Sequence, residues 1–189
     1  MITRYKGRKY VLKGRKCVLG DIKEKDLPKF VRWLPDKEVS QYLLLDFSSL
    51  TLKKEKKWYK DTKKQKDTII FGLYALDKNK KILIGSTGLK KIDHNHKNAE
   101  FGIIVADKNY WGKGIGTEAT NLVINFGFKV LGLNSIYLTV FSKNKAGQKT
   151  YKRAGFKKTG LLRKHVRYKK GYDDVYVMSI LRKEWKKWH

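Results

Sequence analysis

Residues 99–118 read AEFGIIVADKNYWGKGIGTE, and their order decides the fold. A short apolar run over 99–105 is followed by a polar turn, by three alternating glycines (Gly112, Gly114 and Gly116) and by the opening of a helix. Glycines ahead of a helix let several backbone N–H groups approach one anion, at the end of the helix whose dipole favours negative charge. The stretch predicts a phosphate-binding loop between a strand and a helix.

Downstream, Ala119, Leu122, Val123, Phe126 and Val130 fall on one helical stripe that ends near Gly132. Ser135–Phe141 (SIYLTVF) is apolar on both faces, the pattern of a central strand covered on both sides. Strand, glycine loop, helix and strand form a β-α-β unit whose two strands should run parallel. Asn144 stands at the N-cap of a short helix over 145–154, and Gly155-Phe156 closes it as a glycine C-cap with an apolar anchor. Two last strands are expected at 157–168 and 172–181, turned at Lys169-Lys170-Gly171.

Upstream, residues 9–19 read as a bent strand or two short ones around Gly14, and Leu27, Phe30, Val31 and Leu34 mark a helix that opens near Asp26-Leu27-Pro28 and stops before Pro35. A further helical turn is expected through Val39, Tyr42 and Leu43. Ser48 or Ser49 is the expected cap of a helix over 52–62 whose buried side is Trp58 and Tyr59. Between Lys53 and Lys66 stand eight lysines against Glu55 and Asp61, either a solvated helix face or a docking face for an acidic partner. Strands over 68–76 and 81–91 are joined by Asp77-Lys78-Asn79-Lys80. His94 and His96 sit in a polar loop with no Cys or second His pair beside them, so no metal site is expected.

The 189 residues are expected to form one domain, with a core over about 9–185 and a basic tail over 182–189 that carries Trp185 and Trp188. Hydrophobic residues at 41% argue against a disordered chain. The net charge of +28, built largely from 37 lysines spread end to end, fits two readings: a polyanion partner such as ribosome or nucleic acid, or a proteome-wide lysine bias. The single cysteine, Cys17, excludes an internal disulfide framework and reads as a small core residue. With no signal-like or membrane-length apolar run, the expected location is the cytoplasm, with no membrane association.

Two familiar glycine loops do not match. No Gly-Lys-Ser/Thr follows at Walker spacing, and no alternating βα series precedes the loop as a dinucleotide fold requires. The loop instead resembles the R/Q-x-x-G-x-G/A signature of GNAT N-acetyltransferases, occupied by Trp111-Gly112-Lys113-Gly114-Ile115-Gly116, with Trp111 where the pattern has Arg or Gln. AEFGIIV, YWGKGIGTEA, NKAGQKTYKRAGF and YKKGYDDVYVMSILRKEW, in that order, resemble the RimJ/RimL-like branch over nearly the whole chain. The resemblance implies a mixed α/β (α+β) fold with a largely antiparallel central sheet split at a parallel strand pair and helices on both faces.

It also implies acetyl-CoA as cofactor and a primary amine as acceptor. On this resemblance Gly112, Lys113, Gly114, Ile115, Gly116 and Thr117 hold the CoA pyrophosphate. Ile103, Ile104 and Val105 pair with the pantetheine arm, the N–H of Ile104 or Val105 faces the oxyanion, and Asn144 meets the pantetheine. Glu100 is the candidate general base, directly or through a water, and Tyr151 the candidate acid for the departing thiolate. Lys113 and Lys152 are expected near CoA phosphates. The helices between the first two strands line the acceptor side, where Trp33, Tyr42 and Asp46 are candidate substrate contacts beside Phe47, Trp58 and Tyr59. The leading acceptor is a protein N-terminus, of a ribosomal or nucleoid-associated protein. A small amine (polyamine or aminoglycoside-like) and a nucleic-acid-binding role on the same scaffold are the alternatives, and the chain is expected to be a monomer or homodimer.

Overall fold

A computed structural model describes residues 3–77, 80–168 and 171–185. An eight-stranded sheet runs in the order β3-β4-β5-β6-β7-β8-β10-β9, built from β3 (Leu12–Lys13), β4 (Cys17–Gly20), β5 (Ile69–Asp77), β6 (Lys80–Asp93), β7 (Asn98–Val105), β8 (Ser135–Phe141), β9 (Lys157–Tyr168) and β10 (Gly171–Leu181). Neighbours are antiparallel except β7 and β8, which run parallel as the β-α-β reading requires. β1 (Thr3–Tyr5) and β2 (Arg8–Tyr10) form a separate antiparallel pair that the sequence reading did not anticipate.

Two apolar clusters cover the two faces of the sheet. On one face α4 (Ile115–Lys129) packs with α5 (Lys145–Arg153), α6 (Arg182–Trp185) and the fully buried Phe71, Phe128, Ile136 and Leu138. Each such side chain contributes about 1.5–3 kcal/mol by leaving water. On the other face α1 (Leu27–Trp33) and the following Leu34 bury Leu27, Phe30 and Leu34 against Tyr74 and Leu83, with Tyr59 of α3 (Leu52–Lys64) packed onto them; α2 (Lys37–Ser40) buries no residue.

Several local expectations change. Thr51, rather than Ser48 or Ser49, caps α3: its hydroxyl accepts from the Lys54 N–H at 3.3 Å. Trp58 is largely exposed and Tyr59 half-buried, while Glu55 is the buried residue of α3, 4% exposed. Val130 is exposed, and α4 buries Ile115, Thr120 and Ile124 in addition to Ala119, Val123 and Phe126. Trp185 belongs to the core: its indole donates to Asn125 Oδ1 at 2.6 Å, and its ring lies against Phe128. Residues 186–189, and with them Trp188, lie outside the described residues, as do 78–79 and 169–170 of the two expected turns. Cys17 is fully buried, as read, and burial together with the neighbouring Glu118 raises its thiol pKa. His94 shares a 3.0 Å hydrogen bond with the Tyr5 hydroxyl. Among the described residues no helix is long and apolar enough to cross a membrane.

Candidate active site

The site begins where β7 and β8 part. They pair at Asn98–Ser135, Ala99–Ile136 and Glu100–Tyr137, and no further. Beyond that point β8 continues along β10 and β7 along β6, so a wedge opens between 101–105 and 138–141. Backbone alternation decides which groups line it. The Ala106 N–H donates to Ile84 O at 2.7 Å, toward β6, and Lys97 O accepts from Asn134 N–H at 2.6 Å, toward β8. In a ladder that alternates residue by residue, the N–H groups of Ile103 and Val105 then face the wedge, and that of Ile104 faces β6. Of the two N–H groups named for the oxyanion, only that of Val105 points into the wedge. Val105 O accepts from the Trp111 indole N–H at 2.7 Å, so the aromatic residue at the Arg/Gln position ties the loop to the wedge mouth.

The glycine loop closes the same wedge. Gly112 and Gly114 have φ of +73° and +78°, a left-handed conformation that side chains other than glycine adopt with strain. Gly114 is the N-cap of α4, and its carbonyl accepts from the Glu118 N–H at 3.2 Å. The N–H groups of Ile115, Gly116 and Thr117 are therefore the unpaired donors of the first turn. The Ile115 side chain is buried in the core, so its place in the loop is a backbone one.

Behind the loop stands a brace. Glu118 accepts from the N–H groups of Arg15 (2.9 Å), Lys16 (2.8 Å) and Cys17 (2.9 Å), and the Lys16 ammonium donates to Lys113 O at 3.0 Å. Burial alone would raise the Glu118 pKa, but the hydrogen bonds from Lys16, Cys17 and Arg15 hold it below the usual carboxylate range. The Lys113 side chain is exposed, its ammonium 4.9 Å from the centre of the Tyr110 ring. Open glycines, unpaired first-turn donors and a strand edge with N–H groups facing the wedge fit a pyrophosphate and an extended amide chain, two of the parts of CoA.

The family model for the acetyltransferase (GNAT) domain matches residues 17–157, which include the wedge, the loop and, of its brace, Glu118 and Cys17. The chain belongs to the GNAT acetyltransferase family. Members of this family use acetyl-CoA. An uncharacterised N-acetyltransferase, p20, of Bacillus licheniformis is 37% identical over 103 residues, 54% of this chain and 57% of that one. Spermidine N(1)-acetyltransferase of Escherichia coli K12 is 40% identical over 78 residues, 41% of each. The match thus spans 57% of the first of these curated relatives and 41% of the second. A spermidine N-acetyltransferase from Vibrio cholerae, solved with CoA and spermine, shares the fold with a TM-score of 0.83 at 24% identity, over 92% of this chain and 99% of that one.

Within this GNAT fold, Glu100 lies at the root of the wedge, 7% exposed, with Lys90 and Lys91 ammoniums at 3.0 and 2.9 Å from its two oxygens. Burial raises its pKa, but the hydrogen bonds from Lys91 and Lys90 outweigh that and hold it below the usual range. A carboxylate clamped by two ammoniums is a poor proton acceptor, so this geometry argues against the base role expected for Glu100. Tyr151, half-buried between Phe101 and Phe156, has no hydrogen-bond partner for its hydroxyl among the described residues. Burial pushes its pKa up to about 12, so it keeps its proton through the neutral range. Asn144 caps α5, its Oδ1 accepting from Gly147 N–H at 2.8 Å, which leaves its amide nitrogen as the free end.

The acceptor-side expectations divide. Tyr42 stacks on Tyr168 at 5.7 Å with the rings 6° from parallel, and Phe141 lies against both. Tyr42 donates to Lys143 O at 3.3 Å, and burial, then Tyr168 and Asp173, raises its pKa. Trp33 is half-buried edge-on to Phe30, a core position. Asp46 is held in its own turn by the Ser48 N–H and hydroxyl. Sequence reading missed Tyr168 and Phe141; Asp173, which with Asp93 and Asp174 it does offer as an acid for a small-amine acceptor, is buried and accepts from the Ser142 hydroxyl at 2.8 Å and the Lys143 N–H at 3.3 Å. Apolar alternation in the C-terminal hairpin was visible, but the partner of Tyr168 lies 126 positions earlier.

Proposed function

We propose that this chain is an acetyl-CoA-dependent N-acetyltransferase acting on a primary amine, with a protein N-terminal α-amine as the leading acceptor. The observation that carries the reading is the wedge between β7 and β8, edged by unpaired N–H groups and ending at the glycine loop. Acetyl-CoA supplies the activated acyl carbon and a thiolate leaving group. The N–H groups of Ile115, Gly116 and Thr117 hold the pyrophosphate, with Gly112, Lys113 and Gly114 forming the turn around it. Ile103 and Val105 pair with the amide chain, and the Val105 N–H is positioned to stabilise negative charge on the acyl oxygen. The Asn144 amide nitrogen donates to the same chain. Tyr151, protonated at neutral pH, donates a hydrogen bond to the departing sulfur.

The acceptor follows from proton bookkeeping. With Glu100 held by two lysines, the site lacks a carboxylate poised to deprotonate a strongly basic amine. An α-amine, with an ordinary pKa of roughly 7.7–8.0, is partly neutral at neutral pH and needs little help, whereas a side-chain-type amine near 10.4 needs much more. The acids that a polycation would seek are engaged elsewhere: Asp93 holds the Asn95 and His96 N–H groups, Asp173 holds Ser142, and Asp174 accepts from the Lys164 N–H. The second reading, a polyamine acceptor, is favoured by the similarity to spermidine acetyltransferases.

Thiol release from acetyl-CoA, measured over pH with a short peptide and with spermidine, tests both. Peptide turnover that rises toward pH 8 with the neutral fraction of the α-amine supports the first reading. A spermidine kcat/KM more than about tenfold higher supports the second, and no turnover with any primary amine refutes both.

A further inference from the structure

α3 turns one side inward and the opposite side to solvent. The inward side carries the buried Glu55 and Tyr59, whose hydroxyl donates to Ile22 O at 2.9 Å. At about 100° per residue, Lys53, Lys57, Lys60 and Lys64 fall within roughly 60° of one another on the far side and extend over about 16 Å of helix axis. Other lysines of the helix are tied down: Lys54 to Ser49, Lys56 to Glu24, and Lys63 to Tyr59 and Asp21. Within the stripe, Lys57 pairs with Asp61 at 2.6 Å, while Lys53, Lys60 and Lys64 form no ion pair among the described residues. Asp61 is the one acid on this face, because Glu55 points inward.

We infer that this stripe is a docking surface for the phosphate backbone of duplex DNA. At three- and four-residue steps the four lysines follow one another about 4.5–6 Å apart along the helix axis, and their flexible stems let the ammoniums reach successive phosphates of one strand. Lysine is a compact point charge with rotatable donors, suited to phosphate and poor at reading base edges, so binding is independent of sequence. A major groove about 12 Å wide accommodates the exposed face of a helix packed on its other side, whereas the narrow groove of an RNA duplex does not. The wedge lies between β7 and β8, so docking through α3 leaves the acetyl-transfer site free.

The experiment uses the full chain and a short DNA duplex, titrated between about 50 and about 200 mM NaCl. Two charge-matched variants are compared: Lys53→Gln with Lys57→Gln, Lys60→Gln and Lys64→Gln, and a control carrying Lys81→Gln, Lys97→Gln, Lys158→Gln and Lys164→Gln. The stripe variant is expected to bind at least about tenfold more weakly at low salt and to flatten the log–log salt slope by about 3 to 4, while the control stays near wild type. Equal losses in both variants, or no duplex binding by wild type, overturn the proposal. Tighter binding to an RNA duplex or to phosphatidylserine vesicles overturns the assignment to DNA. Thiol release with a small primary amine, unchanged in the stripe variant, separates this result from the fate of the proposed activity.

Discussion

Tyr151 and Glu100 carry opposite signatures, one a phenol with no hydrogen-bond partner among the described residues and the other a carboxylate held by two ammoniums. Tyr151→Phe keeps the ring in its aromatic pocket and removes the proton. It is expected to lower kcat by about 10²-fold with little change in Tm or in the KM for acetyl-CoA, measured by steady-state thiol release. Glu100→Gln is expected to cost less than about tenfold in kcat and to leave the pH profile in place, the outcome that a carboxylate held by Lys90 and Lys91 predicts. Glu55 supplies a separate test. Burial raises its pKa to about 7, so the folded state holds its proton more tightly than the unfolded chain does. Stability conferred by that proton is fully present below the unfolded value of about 4.3 and is lost as pH rises to about 7. Glu55→Gln should therefore raise Tm at pH 8, by an amount equivalent to roughly 2 kcal/mol, and change it little near pH 4. The signal was in the sequence: Glu55, Tyr59 and Thr62 share one stripe, but a charged residue at its centre reads as surface until burial is seen.

Among the elements, the glycine loop depends on its own backbone and on the brace behind it. Gly114→Ala places a methyl group at φ +78° and 3.2 Å from Lys16 Nζ. It is expected to cost about 1–2 kcal/mol and to weaken acetyl-CoA binding by about tenfold, as calorimetry would record. The β-α-β unit, the glycine loop and the C-cap at Gly155 were legible in sequence because each is written in neighbouring residues. Gly155 indeed has φ +94°, and Phe156 is buried. The parallel pair was legible in the same way, but the wedge beyond it was implied only by the family resemblance, because no local residue pattern marks where two strands part. The Glu118 brace was not, since it joins positions about a hundred residues apart by backbone donors that any residue type supplies. The β1–β2 pair was hidden for a related reason: three-residue strands give too few alternations to distinguish them from a loop.

For the whole molecule, +28 charges on 189 residues mean that folding brings like charges together. The ion pairs that are present, such as Lys108 with Asp36 and Glu38, are mostly exposed and individually weak. Tm is expected to rise as NaCl increases from about 10 mM to about 150 mM, because the screening length shrinks from about 30 Å to about 8 Å. A fall over that range in differential scanning fluorimetry would show that attractive pairs dominate instead. Through the Glu118 contacts, the Arg15–Cys17 amides and the cofactor loop share one anchorage, although they belong to different ends of the chain. Deuterium uptake should report this: saturating acetyl-CoA is expected to slow exchange at the amides of Arg15, Lys16 and Cys17, which donate to Glu118 rather than to the cofactor, in step with those of the loop itself.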